Sequence, residues 1–161
     1  MNEAGIKIIS DTLNRSIQDV LKVMSRAEQS ALRKGANVIK KNTKQNLRST
    51  GIKVNKPSDK YTDRLIDGVR TSKVKDGSIV VHVMGTRKTG SGTFRLRFFE
   101  GGTRERYATT YKGHQLKKKR RLGHIKSYNF FNSSLNSSQS DIINAMDVQL
   151  TKYIEKAWNN G

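Results

Sequence analysis

Six consecutive residues, Phe94, Arg95, Leu96, Arg97, Phe98 and Phe99, constrain the fold of this chain more than any other stretch. Phe94, Leu96 and Phe98 alternate with Arg95, Arg97 and Phe99. A period of two puts the first set on one face of a strand and the second on the other. The run then enters Glu100-Gly101-Gly102-Thr103. Two glycines open the positive-φ region, so a sharp turn is expected where the strand ends. The plainest reading is a half-buried strand closed by a turn.

Two further strands are expected upstream. Asp76-Gly77 lies between two β-prone runs and suits a type I′ hairpin. Ile79, Val80, Val81, His82, Val83 and Met84 follow, rich in β-branched side chains. Residues 85–93 hold three glycines and read as a flexible connection. Residues 69–99 therefore predict an antiparallel meander of about three strands. Ahead of it, residues 48–60 read as a loop holding the only proline, Pro57. Residues 61–70, with Leu65, Ile66 and Val69, predict a helical turn leading into the first strand.

The meander is flanked by helices. Leu13, Ile17, Val20, Leu21 and Met24 recur at spacings of three and four, one stripe of a helix starting near Asp11 with Ser10 or Asp11 as its cap. Ala27, Ala31, Val38, Ile39 and Leu47 carry the pattern to Ser49, with a kink or split expected near residues 25–29. The other face holds Arg33, Lys34, Lys40, Lys41, Lys44 and Arg48 and reads either as solvated or as polyanion-facing. At the far end, Ser138-Gln139-Ser140-Asp141 resembles a capping box. Ile143, Met146, Leu150, Tyr153, Ile154 and Ala157 then mark one face of a last helix. The expected class is α+β: one domain over residues 1–161, with the C-terminal helix packed on a small antiparallel sheet.

Charge narrows the function. Thirty-two Lys and Arg stand against 13 Asp and Glu, a formal +19, which implies a polyanion or an acidic protein as neighbour. The excess is densest in an arm at residues 104–127. There Lys112, Lys117, Lys118, Lys119, Arg120, Arg121 and Lys126 interleave with Tyr107, Tyr111, His114 and His124, and no acid falls between Arg106 and Lys126. Such a run is either a mobile solvated loop or an arm that grips phosphate or an acidic partner. No apolar run approaches membrane-spanning length, and residues 1–24 lack the continuous apolar core of a secretory signal, so a soluble protein of the cell interior, or of an assembly built there, is expected with no membrane partner. Without cysteine there is no disulfide framework and no thiolate metal site.

Catalytic patterns are sparse. Residues 85–93 miss the phosphate-loop pattern, because Ser91 and Gly92 follow Gly90 where Lys and Ser or Thr are required. His82, His114 and His124 have no metal-ligand spacing. Asp59 with Asp63, and Glu100 with Glu105, read as ion-pair partners of arginine rather than as general acid and base. A metal-dependent nuclease would want clustered carboxylates. No enzyme activity, cofactor or metal is expected.

Three segments in order resemble a known family. Residues 61–69 (Tyr-Thr-Asp-Arg-Leu-Ile-Asp-Gly-Val) fall where a threonine-glycine-x-leucine-arginine-x-serine-isoleucine pattern would, with Asp63 in place of the glycine. Phe98-Phe99-Glu100-Gly101-Gly102-Thr103 is similar to an aromatic-x-glutamate-x-glycine-threonine signature. Tyr128-Asn129-Phe130-Phe131-Asn132-Ser133-Ser134-Leu135 is similar to the proline-phenylalanine-x-x-proline-alanine-leucine segment that follows it, without the two prolines. With the long first helix, this resembles the tail-completion or neck proteins of long-tailed double-stranded-DNA phages, the lambdoid gene-product-ten-like group. The link from Thr103 to Tyr128 is longer than is usual there.

The resemblance implies a structural virion protein, assembled in the host cytoplasm. It implies a homo-oligomeric ring, six- or twelve-fold, at the head–tail joint. Its neighbours would be connector or stopper proteins and the tail tube, with double-stranded DNA met non-specifically in the channel. Phe98, Phe99, Glu100, Gly101, Gly102 and Thr103 would form a structural corner, with Glu100 accepting backbone hydrogen bonds or pairing with an arginine. Tyr128, Phe130 and Phe131 would pack on the first helix. The alternative from charge alone is a free-standing basic nucleic-acid-binding protein.

Overall fold

The computed structural model describes residues 3–57, 60–83 and 90–159. Helix α1, Glu3–Ser49, is 47 residues long and spans roughly 70 Å. It begins eight residues before the expected start, so Ser10 and Asp11 lie inside it rather than at its cap, and it runs unbroken through residues 25–29. Ala27 and Ala31 are buried there, small enough to let a second helix approach.

Residues 50–57 and 60–83 return along α1, and the hairpin tip at Gly77 comes beside Glu28, midway down that helix. A 3-10 turn at Leu65–Gly68 leads into strand β1, Arg70–Thr71, as the pattern predicts. β1 pairs antiparallel with β2, Val81–His82. The hairpin turns at Asp76 and Gly77, both at positive φ (49° and 66°), with Lys75 bridged to Ser78. The β-prone run at residues 79–84 thus contributes only two ladder residues, and its Met84 lies outside the described residues, as do residues 85–89 of the expected connection.

The stretch at residues 94–99 is not a strand. A 3-10 turn at Thr93–Arg95 runs into helix α2, Leu96–Gly101. In so short a run the alternating pattern also fits a helix, and tertiary partners decide. Phe94 and Phe98, four apart, meet edge to face at 6.3 Å, and Phe94 meets Tyr61 at 6.0 Å. Leu96 is fully buried among Leu47, Val54, Leu65, Ile66, Val69 and Phe130, with Phe99 and Phe131 packed against the cluster. Among the described residues there is no third strand in that sheet, and the expected sheet of about three strands is replaced by two separate two-stranded sheets, β1–β2 and a second described below.

The C-terminal helix also differs from expectation. Helix α3, Phe130–Ser137, and helix α4, Gln139–Asn159, pack on α1 and not on a sheet. Polar side chains set this register: Asn42 Nδ2 donates to Ser138 Oγ at 2.7 Å, and Asn46 Nδ2 donates to Ser134 Oγ at 2.8 Å. Gly35 makes room for Met146. The α4 residues turned towards α1 are Ile142, Ala145, Met146, Gln149, Leu150 and Tyr153, whereas Ile143 and Ile154 of the expected stripe are exposed. Among the described residues no helix is long and apolar enough to cross a membrane.

Candidate polyanion-binding ribbon

The basic arm is an ordered hairpin. Strand β3, Arg106–Tyr111, pairs antiparallel with β4, His114–Gly123, around a turn at Lys112 and Gly113 whose φ values are 48° and 84°. The residue types carry the signal: β-branched and aromatic Thr109, Thr110 and Tyr111 precede an X-Gly pair. The run of like charge hid it. Seven Lys and Arg and no acid lie within residues 106–123. Apart from half-buried Ala108, Leu116 and Gly123, every side chain of the two strands is exposed.

The ladder is irregular where the charge is densest. Ala108 faces Arg120 and Thr110 faces Gln115, so β4 sets residues 116–119 against the single Thr109 of β3. Lys117, Lys118 and Lys119 all lie in this excess. A bulge bends the strand and re-aims its side chains, so three ammonium groups leave the ribbon without one flat row to repel along.

Two contacts brace the ribbon. Arg121 donates to Glu105 through Nε at 2.8 Å and through Nη2, and the Tyr107 hydroxyl donates to the same carboxylate at 3.1 Å. The Arg121 guanidinium, chiefly, holds the Glu105 carboxyl below the ordinary glutamate range. Towards the tip, Lys112 Nζ and the Arg120 guanidinium lie 5.6 and 6.0 Å from the Tyr111 ring centre. Glu105 thus pairs with an arginine, as its setting in the sequence predicts, whereas Glu100, read the same way, takes backbone N–H groups; which arginine Glu105 meets could not be read from spacing.

The Glu100 corner holds the base of the ribbon. Thr103 N–H donates to the Ile125 carbonyl at 3.0 Å, and Ile125 N–H donates to Thr103 Oγ1 at 2.9 Å, clamping the two stems. Gly102 sits at φ 70°, and a Cβ there would lie 3.0 Å from the Ile125 oxygen and the Ser127 nitrogen. The Ser127 hydroxyl donates to the Glu100 carbonyl at 2.6 Å, and Tyr128 N–H to the Phe99 carbonyl at 2.8 Å. The Glu100 carboxylate accepts from the N–H groups of Phe131 at 2.9 Å and Asn132 at 3.1 Å.

The corner residues Phe98, Phe99, Glu100, Gly101, Gly102 and Thr103 are thus gathered with Tyr128, Phe130 and Phe131. Phe130 is buried in the cluster that includes Leu47 of α1, Phe131 lies half-buried against it, and Tyr128 meets Phe99 edge to face at 6.4 Å. The basic residues are not gathered in the same sense. Lys112 is at the ribbon tip and Lys126 lies beyond β4 at its base, roughly 30 Å apart along a ten-residue strand.

A second basic surface lies on α1. Arg33, Lys34, Lys41 and Arg48 are exposed, and Lys40 and Lys44 are half-buried. Burial lowers the Lys44 ammonium from its ordinary range, and Lys40 adds to the effect while Asp67 opposes it. His82 is exposed on β2. Among the described residues no three His, Asp or Glu side chains gather as metal ligands would. The chemistry on offer is electrostatic: exposed cations beside aromatic faces. No family model, curated protein or solved structure matches this chain.

Proposed function

We propose that this chain is a structural protein of a phage neck. Copies form a ring at the head–tail joint, between connector or stopper and tail tube, and the genome lies in the channel. The observation that carries this reading is the convergence of the three family-like segments. Residues 61–69 supply Leu65, Ile66 and Val69 to one core, residues 98–103 supply Phe99 and the Glu100 carboxylate, and residues 128–135 supply Phe130, Phe131 and the N–H groups that Glu100 binds. Segments that share only short motifs in sequence act as one structural unit here, and the basic ribbon projects from it.

In this reading the ribbon touches DNA phosphates without reading sequence. Lys and Arg on an exposed two-stranded ribbon neutralise backbone charge and release counterions, which gives weak, salt-sensitive contact suited to a channel that must let DNA pass. The protein binds and positions; no reaction is assigned to it.

The exposure of the ribbon and the Tyr111–Arg120 stack favour a second reading, a free-standing nucleic-acid-binding protein. One experiment separates the two. The mass of the purified protein is measured with and without double-stranded DNA at two salt concentrations. A ring-sized oligomer with weak, salt-sensitive binding supports the neck. A monomer that binds DNA or RNA tightly overturns it in favour of the second reading.

A further inference from the structure

The C-terminal half of α1 has three faces. α4 and α3 cover one: Ala27 and Ala31 are buried, Gly35 meets Met146, and Asn42 and Asn46 bond Ser138 and Ser134. The β1–β2 hairpin and the core lie on a second. Glu28 is beside Gly77 of the hairpin tip, and buried Ala36, Thr43 and Leu47 share that side. Turning by about 100° per residue, all six bases of residues 30–48 fall in the remaining sector, about 120° wide. They are Arg33, Lys34, Lys40, Lys41, Lys44 and Arg48. Ser30 and Asn37 are the only other side chains of that segment in the sector. Exposed Arg26 continues the face two turns further, so it runs about 33 Å.

A merely solvated face mixes its signs and gains from opposite charges four apart. Asp19 and Lys22 make such a contact near the other end of α1, at 3.3 Å. On the basic face Lys40–Lys44 and Lys44–Arg48 are like-charged pairs at the helical spacing of four. No acid occurs between Glu28 and Asp59. Among the described residues none of the six bases is in an ion pair. Asp67, which bears on Lys44, is held through both oxygens by Arg64, and Arg70 donates to its carbonyl. Lys40 and Lys44 are half-buried, so their stems are not free to swing apart. Relief of the repulsion has to come from an anion outside the chain.

The side chains select which anion. A protein interface needs an apolar centre, and no apolar side chain of residues 30–48 lies in the sector. A single-stranded nucleic acid is held by rings that stack its bases, and α1 has no aromatic residue. Entry into a groove is blocked as well. A bare helix just fills the major groove, about 12 Å wide, and α1 is flanked on both sides by α4 and the β1–β2 hairpin. Phosphates on the outside of a duplex meet all three conditions.

We infer that this face of α1 is a second nucleic-acid contact, laid along the phosphate backbone of a duplex and separate from the β3–β4 ribbon. Its length matches about ten base pairs. Contacts of this kind position a duplex and read no sequence. The inference rests on the charge and packing of α1 and stands apart from the neck reading.

The test uses the full chain and a mixed-sequence DNA duplex of about 20 base pairs, roughly twice the length of the face. Arg33→Gln, Lys34→Gln, Lys41→Gln and Arg48→Gln are combined. All four side chains are exposed, so the unfolding midpoint should hold or rise as like charges are removed. Affinity is expected to fall at least about tenfold, and the slope of log affinity against log salt to become shallower by roughly 0.9 for each side chain that meets a phosphate. The same loss is expected when Lys117, Lys118 and Lys119 are already Ala, which separates this face from the ribbon. The duplex should also shield Lys34 and Lys41 from amine acetylation. The experiment repeated with duplex RNA names the source: tighter binding of either duplex supports the site. An unchanged slope overturns the inference. So does an equal or larger loss against single-stranded DNA or poly-glutamate, which would give the face to another partner. A ring-sized mass with an unchanged slope overturns it while leaving the neck reading standing, and a monomer with the shallower slope does the reverse.

Discussion

The Glu100 carboxylate caps a helix that begins 30 residues later: its Oε2 accepts the N–H of Phe131 at 2.9 Å, and its Oε1 accepts that of Asn132 at 3.1 Å. Asn129, the residue preceding α3, sits in the left-handed region with φ 46° and makes no side-chain cap bond. The first turn of α3 would otherwise leave those donors unpaired. Glu100→Gln keeps one acceptor and turns an amide NH₂ towards the other N–H. It should cost about 1–2 kcal/mol, read from the denaturant midpoint. Glu100→Asp should not rescue, because the shorter side chain cannot reach both groups.

Gly92 is required twice over. Its φ is 71°, and a Cβ would fall 2.3 Å from Cγ of Tyr61. Gly92→Ala combines left-handed strain with a clash and should destabilise by about 2–4 kcal/mol. Adding Tyr61→Ala in that background should recover less than the whole loss in thermal unfolding, since the backbone strain remains.

Gly35 tests the α1–α4 contact by size. A Cβ there would lie 2.9 Å from Met146 Sδ and 3.2 Å from Ile142 Cγ2. Gly35→Ala gains up to about 1 kcal/mol of helix propensity while pushing a flexible thioether aside, so stability should stay within about 1 kcal/mol of the parent. Gly35→Leu should lose about 1–3 kcal/mol or more by forcing the helices apart. A Gly35→Leu protein as stable as the parent would show that α4 does not seat there.

The Glu105–Arg121 pair sets a pH dependence. Hydrogen bonding to Arg121 puts the folded-state pKa of Glu105 below its unfolded value. The stabilisation is therefore complete above the ordinary glutamate range and is lost as pH falls through the lower, folded-state value. A carboxyl-carbon NMR titration should place Glu105 below the ordinary range, and Arg121→Ala should move it up. An ordinary value in the parent protein would mean that the pair is not formed in solution.

Polyanion binding by the ribbon has its own signature. Replacing Lys117, Lys118 and Lys119 with Ala should leave the unfolding midpoint unchanged, because all three are exposed. The slope of log affinity for double-stranded DNA against log salt should become shallower by roughly 0.9 for each lysine that meets a phosphate. An unchanged slope would remove the bulged segment from the DNA contact.

Legibility followed the range of the interactions. The long first helix, the turn at Asp76 and Gly77, the 3-10 turn before β1 and the last helix follow from periodicity and turn chemistry, which act over a few residues. The N-terminal start of α1 was missed because residues 3–10 carry no cap signal strong enough to compete with Ser10 and Asp11. On α4, Met146, Leu150 and Tyr153 of the expected stripe face α1, whereas Ile142 takes the place of Ile143, since both fit a helical stripe until α1 is placed beside it. Of the candidate site, the charge, the corner motif and the pairing of Glu105 with an arginine are legible; the ribbon form, and Arg121 as the partner across it, are not.

By itself the sequence determined the helical ends, the charge asymmetry between them and the middle of the chain, and the positions of the tight turns. All of these depend on residue types and spacings alone. Tertiary structure decided the rest. Residues 94–101 became helical because Leu96 and Phe99 could be buried only against Phe130, Leu65 and Val69. The basic run became a ribbon because the Glu100 corner clamps its two stems at Thr103 and Ile125. The C-terminal helix chose α1 over a sheet because Asn42 and Asn46 meet Ser138 and Ser134. In each case the deciding partner lies 25 or more residues away in sequence or across a clamped hairpin. A local pattern that fits two conformations cannot choose between them until that partner arrives.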